Sequence, residues 1–258
     1  MISVIIPTYN SAEYIAETLE SVCAQTYRNI EILVIDDCSS DDTSEIVEKY
    51  ALKDPRIRLI NLDENKGAAN ARNIGTTSAV GDWVAFLDSD DLWAQNKLEK
   101  QLDLINELVE TDKNRLVSFV FTGSSFVDGY GKKLASTLHV PMQVDYERLL
   151  KQNIISCSSV LVKRSLMLRY PMPCVNDIHE DFATWLQMLK AENIVAYGID
   201  EPLLIYRITR SSRSGNKWKA ALMTFRTYRF IGLGVCASIK SWLFYALRSI
   251  RKYKKINR

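Results

Sequence analysis

Histidine is scarce in this sequence, and its cysteines are scattered. Only two histidines occur among 258 residues, and the five cysteines show no paired close spacing. A zinc cluster built from cysteine and histidine needs such pairs, so the sequence excludes one. Ordinary reduced thiols of a cytosolic protein are the simplest interpretation. The cysteines are Cys23, Cys38, Cys157, Cys174 and Cys236.

Two phosphate-binding signatures and any long apolar run are also missing. The first strand-like segment is not followed by Gly-x-Gly-x-x-Gly, and no Gly-Lys-Ser/Thr loop occurs, which disfavours dehydrogenases and P-loop nucleotide hydrolases. Lys240 interrupts the C-terminal apolar run well short of the roughly 20 residues that a membrane span needs. Because the chain opens directly on a strand-like segment at 2–6, we expect no signal peptide.

Acidic residues are absent from the last part of the chain. Residues 207–258 contain fourteen Lys or Arg and no Asp or Glu, whereas residues 1–206 carry nineteen basic and thirty-one acidic side chains. An acidic body with a basic tail indicates a catalytic domain attached to an anionic surface. Both nucleic acid and anionic lipid are open as that surface.

The first hundred residues alternate between strand-like and helix-like patterns. Apolar, β-branched strands are predicted at 3–6, 31–35, 56–62 and 82–87, with helical patterns between them. Such alternation is typical of an α/β fold with a mostly parallel, doubly wound sheet. With 47% hydrophobic residues, the chain is long enough for one domain with an appendage. We therefore predict a domain over 1–206, with halves 1–110 and 111–206, and a basic helical tail over 207–258.

Polar motifs follow three of these strands, where such sheets bind ligands. After the apolar strand at 82–87, Asp88, Asp90 and Asp91 crowd three carboxylates into four positions. Carboxylates so close repel one another unless a cation joins them, and their hard oxygen atoms select Mg²⁺ or Mn²⁺. The alternative is an acidic turn that caps the next helix.

Other strand ends offer groups for a nucleotide. Tyr9 can stack on a base and Thr8 can hydrogen-bond a base or ribose, and the alternative for this segment is a plain turn. Asp37 can accept hydrogen bonds from a base or ribose. Asp41 or Asp42 is assigned to capping the following helix. Arg72, in a helix of small residues that begins near Gly67, can face the negative charge of the nucleotide. Its competing interpretation is a packed helix in which Arg72 pairs with an Asp of the strand ends.

A second acidic site lies at 179–185. Glu180 and Asp181 precede an apolar, aromatic helix, so one carboxylate can cap the helix while the other stays free. Repulsion and partial burial beside an anionic nucleotide would raise the pKa of that free carboxyl toward that of a general base. Trp185, one turn beyond Asp181, is predicted to wall the acceptor sugar. A capped surface helix is the alternative.

The tail has two faces when 218–255 is drawn as one helix, which Gly232 and Gly234 are predicted to split. Basic residues fall within an arc of about 140°, and apolar residues lie opposite. This pattern is typical of a helix that lies in a membrane interface, and the alternative is a helix packed on the acidic body. The basic residues are Lys219, Arg226, Arg229, Lys240, Arg248, Arg251 and Lys252. The apolar ones are Tyr228, Val235, Ile239, Trp242, Leu243 and Ile250.

Taken together, these motifs resemble those of family 2 glycosyltransferases, the inverting enzymes with a GT-A fold. The resemblance is close over 1–95 and returns at 179–185. In order along the chain it rests on VIIPTYN at 4–10, VIDDCSSDDT at 34–43, NKGAANARNIG at 65–75, DSDD at 88–91 and ED at 180–181. Each motif alone is weak, but the set in this order is specific.

The resemblance implies a nucleotide-sugar donor, usually a UDP-sugar. Its base would lie near Tyr9 and Asp37, and Asp88 would contact the ribose. Asp90 would hold the Mn²⁺ or Mg²⁺ that bridges the diphosphate, and Asp91 would assist through water. These roles come from the family and not from the spacing of the residues.

The resemblance also implies an acceptor side. Asp181 would deprotonate the acceptor hydroxyl, and Glu180 would support it. The chain is similar to bacterial enzymes that use donors such as UDP-glucose or UDP-galactose to build O-antigen or capsule units on undecaprenyl-diphosphate sugars. That acceptor implies a peripheral position at the cytoplasmic face of the inner membrane, with 217–255 on the anionic surface.

Two rival hypotheses come from other functional classes. The acidic strand ends would also serve a nucleotidyltransferase, which would release pyrophosphate rather than UDP. The basic tail would also serve a non-catalytic nucleic-acid binder. Its broad apolar face, without interleaved stacking aromatics, disfavours that second hypothesis, so we expect no nucleic-acid partner.

Overall fold

The computed structural model describes residues 1–113, 116–208 and 217–256. In these ranges ten strands form one sheet whose main path runs in the order β3-β2-β1-β4-β9-β6-β10-β5. The strands are β1 Ile2–Thr8, β2 Ile30–Asp36, β3 Ile57–Asn61, β4 Trp83–Phe86, β5 Leu92–Trp93, β6 Phe119–Asp128, β7 Lys133–Leu138, β8 Gln143–Val144, β9 Leu161–Lys163 and β10 Ala196–Ile208.

Helices cover both faces of this sheet. They are α1 Ile15–Cys23, α2 Thr43–Ala51, α3 Ala68–Ser78, α4 Lys97–Thr111, α5 Tyr146–Lys151, α6 Arg164–Arg169, α7 Glu180–Ala191, α8 Lys217–Phe230 and α9 Val235–Ile256. Successive strand residues point to opposite faces. Ile5 and Leu33 therefore join one core cluster, and Val4 and Ile32 join the other. A sheet buried on both faces explains the nearly continuous apolar runs of β1 and β2.

The four predicted strands of the first half are present and parallel. β1 pairs in parallel with β2 and β4, and β2 pairs in parallel with β3. Parallel pairing brings the carboxyl ends of β1, β2 and β4 to one edge of the sheet. The second half is mixed, because β9 runs antiparallel to both β4 and β6.

One long strand escaped the sequence analysis. β10 spans Ala196–Ile208 and pairs with β6, with register shifts between Ile199 and Leu204. Gly198 and Pro202 break the alternation there, and the pattern does not read as a strand because an irregular register disrupts the period of two. β10 extends to Ile208, so Arg207, the first residue of the predicted tail, lies in the sheet.

The tail forms two helices, and the predicted break at the glycines is present. Gly232, with a φ of +85°, lies between α8 and α9. α8 packs on the body, which is the alternative weighed above. The Tyr228 hydroxyl donates to the Leu150 carbonyl at 2.5 Å, and its ring lies 5.8 Å from that of Phe182. Tyr228 is fully buried, so its predicted place on a membrane-facing side is wrong.

Other parts of the tail prediction concern side chains that are not described. The structure does not describe the side chains of Arg248, Ile250, Arg251 and Lys252. Residues 209–216 also lie outside the described part of the chain. Among the helices that the structure describes, none combines the length and the apolarity that crossing a bilayer requires.

Candidate active site

The turns after β1 and β2 lie side by side. The register pairs Thr8 with Asp36, and the Asp37 amide donates to the Thr8 carbonyl at 2.8 Å. The Thr8 hydroxyl oxygen is buried and has no hydrogen-bond partner among the described residues. Tyr9 turns outward and is 50% exposed, so its ring is accessible for stacking, as its predicted role requires.

Asp37 lies at the start of α3. Its carboxylate accepts from the backbone amides of Lys66 at 3.0 Å and Gly67 at 2.6 Å. Gly67 has a φ of +87° and precedes the first residue of the helix, as the sequence indicated. A carboxylate there satisfies amides that the helix leaves unpaired and interacts favourably with its dipole. Each oxygen keeps a second lone pair for a ligand.

The neighbouring aspartates are structural. Asp36 accepts from the hydroxyls of Ser39 and Ser44, which closes the turn after β2. Asp41 accepts from the amide of Thr43 at 3.1 Å and from that of Ala12 at 3.1 Å. Asp42 is the N-cap residue of α2, but its side chain makes no cap hydrogen bond. The carboxylate of Asp41, one residue earlier, binds the first amide of the helix instead.

The three carboxylates after β4 have different surroundings. Asp91 is fully buried, and its Oδ1 accepts from the Arg207 amide at 3.0 Å. Burial, with the nearby Asp88 and Asp90 carboxylates, raises the pKa of Asp91 well above its usual value. Asp90 is only partly buried, and burial together with Asp88 raises its pKa to about 6. Asp91 Oδ2 has no hydrogen-bond partner among the described residues, so the predicted role of Asp91 at the metal stays a prediction beside its contact with β10.

Arg72 connects the acidic strand end to the second acidic site. Its buried guanidinium donates from Nη2 to Asp88 Oδ1 at 2.5 Å and from Nη1 to Glu180 Oε1 at 3.3 Å. The pairing with an Asp of the strand ends, given above as the competing interpretation, is therefore present. It brings two carboxylates together although Arg72 and Glu180 are 108 residues apart in the chain.

Asp181 is the second residue of α7 and follows Glu180. Its Oδ1 accepts from the Phe182 amide at 2.7 Å, and the side chain is partly buried. Burial and the Glu180 carboxylate raise the pKa of Asp181 to about 6, while His179 and Arg72 act in the opposite direction. The carboxyl is thus ionised at neutral pH and still basic enough to accept a proton.

The start of α7 is held by α8. The His179 amide donates to Thr227 Oγ1 at 3.0 Å, and the His179 ring nitrogen Nε2 lies 3.2 Å from the Ala220 carbonyl oxygen. Since His179 directly precedes Glu180 and Asp181, α8 helps to fix both carboxylates.

Trp185 does not lie where the sequence analysis put it. The side chain is fully buried, with its rings 4.9 Å from Phe119 and 6.5 Å from Phe86. It projects from the core face of α7, where apolar residues dominate. The prediction that Trp185 walls the acceptor sugar is therefore wrong.

Arg207 is a site residue that the sequence analysis missed. Its guanidinium is buried and donates from Nε to the Asp90 carbonyl at 2.9 Å and from Nη2 to Glu17 Oε2 at 2.6 Å. It also lies over the Tyr14 ring at 4.8 Å. The Arg207 backbone amide also donates to the Asp91 carboxylate. Arg207, which lies in β10, therefore fixes the turn at 88–91. The signal was an apolar run at 203–206 that ends in a charged residue, the same pattern that marked the other strand ends.

The comparisons with known proteins agree with this geometry. The sequence profile described as glycosyl transferase family 2 matches residues 3–157 of this chain. The chain belongs to glycosyl transferase family 2. As a member of that family it is an enzyme, a glycosyltransferase, and the nucleotidyltransferase and nucleic-acid-binder hypotheses are set aside.

Two bacterial relatives cover most of this family 2 chain. TuaG of Bacillus subtilis, provisionally named a teichuronic acid biosynthesis glycosyltransferase, is 42% identical over 90% of this chain and 88% of its own length. WfgD of Escherichia coli is 37% identical over 85% of this chain and 81% of its own length. Its name is UDP-Glc:alpha-D-GlcNAc-diphosphoundecaprenol beta-1,3-glucosyltransferase.

A solved structure confirms the fold of this family 2 enzyme. TarS residues 1–349 of S. aureus, in complex with UDP-GlcNAc, superpose with a TM-score of 0.69 at 21% identity. The match covers 93% of this chain and 70% of that one. The expected GT-A fold, a central sheet between helices, is therefore present.

Two carboxylates of the site could contribute to binding the divalent ion that the family implies. Among residues 1–113, 116–208 and 217–256, no group of three or more His, Cys, Asp or Glu side chains is arranged to hold a metal. Asp88 and Asp90 are close enough that Asp88 contributes to the raised pKa of Asp90. One or two carboxylates completed by substrate phosphates is the usual composition of a Mg²⁺ site. The residues fit an ion that binds together with a diphosphate.

We predict that Arg207→Met lowers the free energy of unfolding by about 2–3 kcal/mol, because the buried guanidinium loses hydrogen bonds to a carbonyl and a carboxylate. Urea denaturation measures the change. Glu17→Gln is the control and should cost no more than about 1 kcal/mol, since Glu17 is largely exposed. Equal losses in the two variants would mean that the contact to Asp90 contributes nothing.

Proposed function

We propose that this family 2 enzyme is a metal-dependent, inverting hexosyltransferase. It moves a hexose from a UDP-sugar, UDP-glucose or UDP-galactose, to a sugar carried on undecaprenyl diphosphate. The reaction serves the synthesis of O-antigen or capsular polysaccharide at the cytoplasmic face of the bacterial inner membrane. The name of WfgD, at 37% identity, supports this donor and this acceptor class.

One contact carries the proposal, the link from Asp88 through Arg72 to Glu180. It brings the end of β4, where a nucleotide binds in such sheets, next to the first turn of α7. A partly accessible carboxyl with a pKa of about 6 lies at that turn, in Asp181. A general base is most effective when its pKa is near the working pH.

On the donor side, each residue has a geometry that suits its proposed role. The exposed Tyr9 ring stacks on the uracil, and Thr8 and Asp37 offer oxygen atoms beside it. Asp88 accepts from the ribose, and Arg72, which already neutralises Asp88, limits repulsion between that carboxylate and the diphosphate.

Asp90 is the proposed protein ligand of Mn²⁺ or Mg²⁺. When bound, the ion would offset negative charge on the departing UDP. Arg207 holds the backbone carbonyl of Asp90, so the carboxylate starts from a fixed turn. The Asp91 carboxylate stabilises the same turn by accepting a hydrogen bond from the Arg207 amide.

On the acceptor side, Asp181 removes the proton from the attacking hydroxyl. The hydroxyl oxygen forms a bond to the anomeric carbon as the bond from that carbon to the UDP oxygen breaks, so the configuration inverts. The proton ends on Asp181, and the electron pair leaves with UDP. Glu180, fixed by Arg72, keeps the pKa of Asp181 raised.

Product analysis tests the function directly. Purified enzyme with Mn²⁺, UDP-glucose or UDP-galactose, and a synthetic lipid-diphosphate N-acetylglucosamine should release free UDP and form one new glycosidic bond. Proton NMR of the product should show a β-linkage, because the donor sugar is α-linked. Release of UDP without a disaccharide, or an α-linked product, would contradict the proposal.

Asp181→Asn should reduce transfer about a thousandfold, in line with removal of a general base. The melting temperature should be retained, because the asparagine oxygen can still accept from the Phe182 amide. Transfer is measured by UDP release and stability by thermal denaturation. Asp177→Asn, an exposed carboxylate in the preceding loop, is the matched control and should keep near-wild-type activity. An active Asp181→Asn enzyme would exclude Asp181 as the base.

The pH profile gives a further check. Asp181 must be ionised to accept a proton, and its pKa is raised to about 6. The pKa of Asp90 is also raised to about 6, so the profile is measured with saturating Mn²⁺, which keeps the Asp90 carboxylate ionised. We then expect kcat/KM to be flat above that pH and to fall tenfold per unit below it. Glu180→Gln removes the neighbouring negative charge, so the pKa of Asp181 and the acidic limb should both move to lower pH. A limb that stays in place, or moves upward, would refute this assignment.

A further inference from the structure

An apolar groove lies between α8 and α9. It has a volume of about 590 Å³, within the range of small-molecule binding sites. Its walls are almost entirely hydrocarbon, and the Trp242 indole N–H is turned away, donating to the Ala221 carbonyl at 2.7 Å. The lining residues are Lys219, Ala221, Leu222, Phe225, Ile239 and Trp242.

The groove lies next to the proposed base. Lys219 and Ala221 line it, and the carbonyl of Ala220 between them is 3.2 Å from the ring of His179. The residues that follow His179 are Glu180 and Asp181. Ala220 of α8 therefore lies between the groove and the start of α7.

Two apolar residues that line the groove and two later residues of α9 are exposed. Leu222 is 48% exposed, Ile239 46%, Leu243 51% and Phe244 46%. Grouped apolar side chains of this size mark a surface that binds something apolar. Lys219 lines the groove, and neither α8 nor α9 contains an acidic residue, so the groove suits a ligand that combines a hydrocarbon chain with an anionic head.

We propose that this groove binds the polyprenyl chain of the lipid-diphosphate-linked acceptor. The inference rests on the proposed function and adds the place where the acceptor is held. The polyprenyl chain lies between α8 and α9 with its diphosphate at the Lys219 end of the groove, and the attached sugar extends toward Asp181. An ordinary membrane lipid is the rival occupant of the groove, and it would bring no sugar to the base.

Acceptors of different chain length test the proposal. Ile239→Gln places a polar group in the groove, and we expect it to raise the KM for an undecaprenyl-diphosphate sugar about tenfold. The KM for the same sugar diphosphate on a hexyl chain should not change. Val235→Gln, at a similarly exposed apolar position one turn earlier that does not line the groove, is the matched control and should leave both values unchanged.

Three results would overturn the proposal: an equal effect of Ile239→Gln on both acceptors, no effect on either, or the same effect from Val235→Gln. The first would indicate a general loss of structure. The second would mean that the groove does not hold the chain, and the third that any apolar surface of α9 does.

Fluorescence quenching measures occupancy of the groove without any activity. An alkyl diphosphate with a brominated chain should quench Trp242, and Trp242→Phe should remove that quenching. Unbrominated phospholipid should compete poorly if the acceptor chain is the true occupant, and efficient competition would contradict the proposal. Quenching in an enzyme that transfers no sugar would support lipid binding in the groove and reject the proposed function. Sugar transfer without quenching would support the proposed function and reject lipid binding in the groove.

Discussion

The buried guanidinium of Arg72, shared between Asp88 and Glu180, is the interaction on which the site depends. It joins the first half of the domain, which contains the polar strand ends, to the second half, which contains α7. Only arginine offers several donors in a rigid planar fork, so one side chain can hold two carboxylates at once. The two carboxylates neutralise a charge that would otherwise be buried alone, at a cost of several kcal/mol. The same pairing places Asp181 where burial and Glu180 raise its pKa.

Much of this arrangement could be predicted from the sequence, because parallel pairing is a strong constraint. Once β1, β2 and β4 are recognised as apolar strands, their polar ends must meet at one edge, and Thr8, Asp37 and Asp88 do so. The errors arose where tertiary packing decides. Trp185 follows Asp181 by one turn, but its orientation depends on the core that α7 covers. Arg207 looked like the start of a basic tail, since the irregular register of β10 hides the strand that carries it.

The two tail helices have more than one role in the structure. Through Thr227 and Ala220, α8 holds His179 at the start of α7, and through Tyr228 it packs on the body. The opposite side of the pair keeps exposed apolar residues and the groove. The apolar residues of the amphipathic pattern therefore fall into two sets, one buried in the protein core and one exposed at the surface. A single helical projection could not separate them, because α8 and α9 have different neighbours on either side of Gly232.

A crystal structure of the enzyme with Mn²⁺ and a non-transferable UDP-sugar analogue tests the central claim most directly. The account predicts anomalous density for manganese between Asp90 and the diphosphate, with uracil against Tyr9 and the anomeric carbon facing Asp181 across the Arg72 link. A nucleotide bound away from the ends of β1, β2 and β4, or an Asp181 carboxylate with no open path to the anomeric carbon, would contradict it.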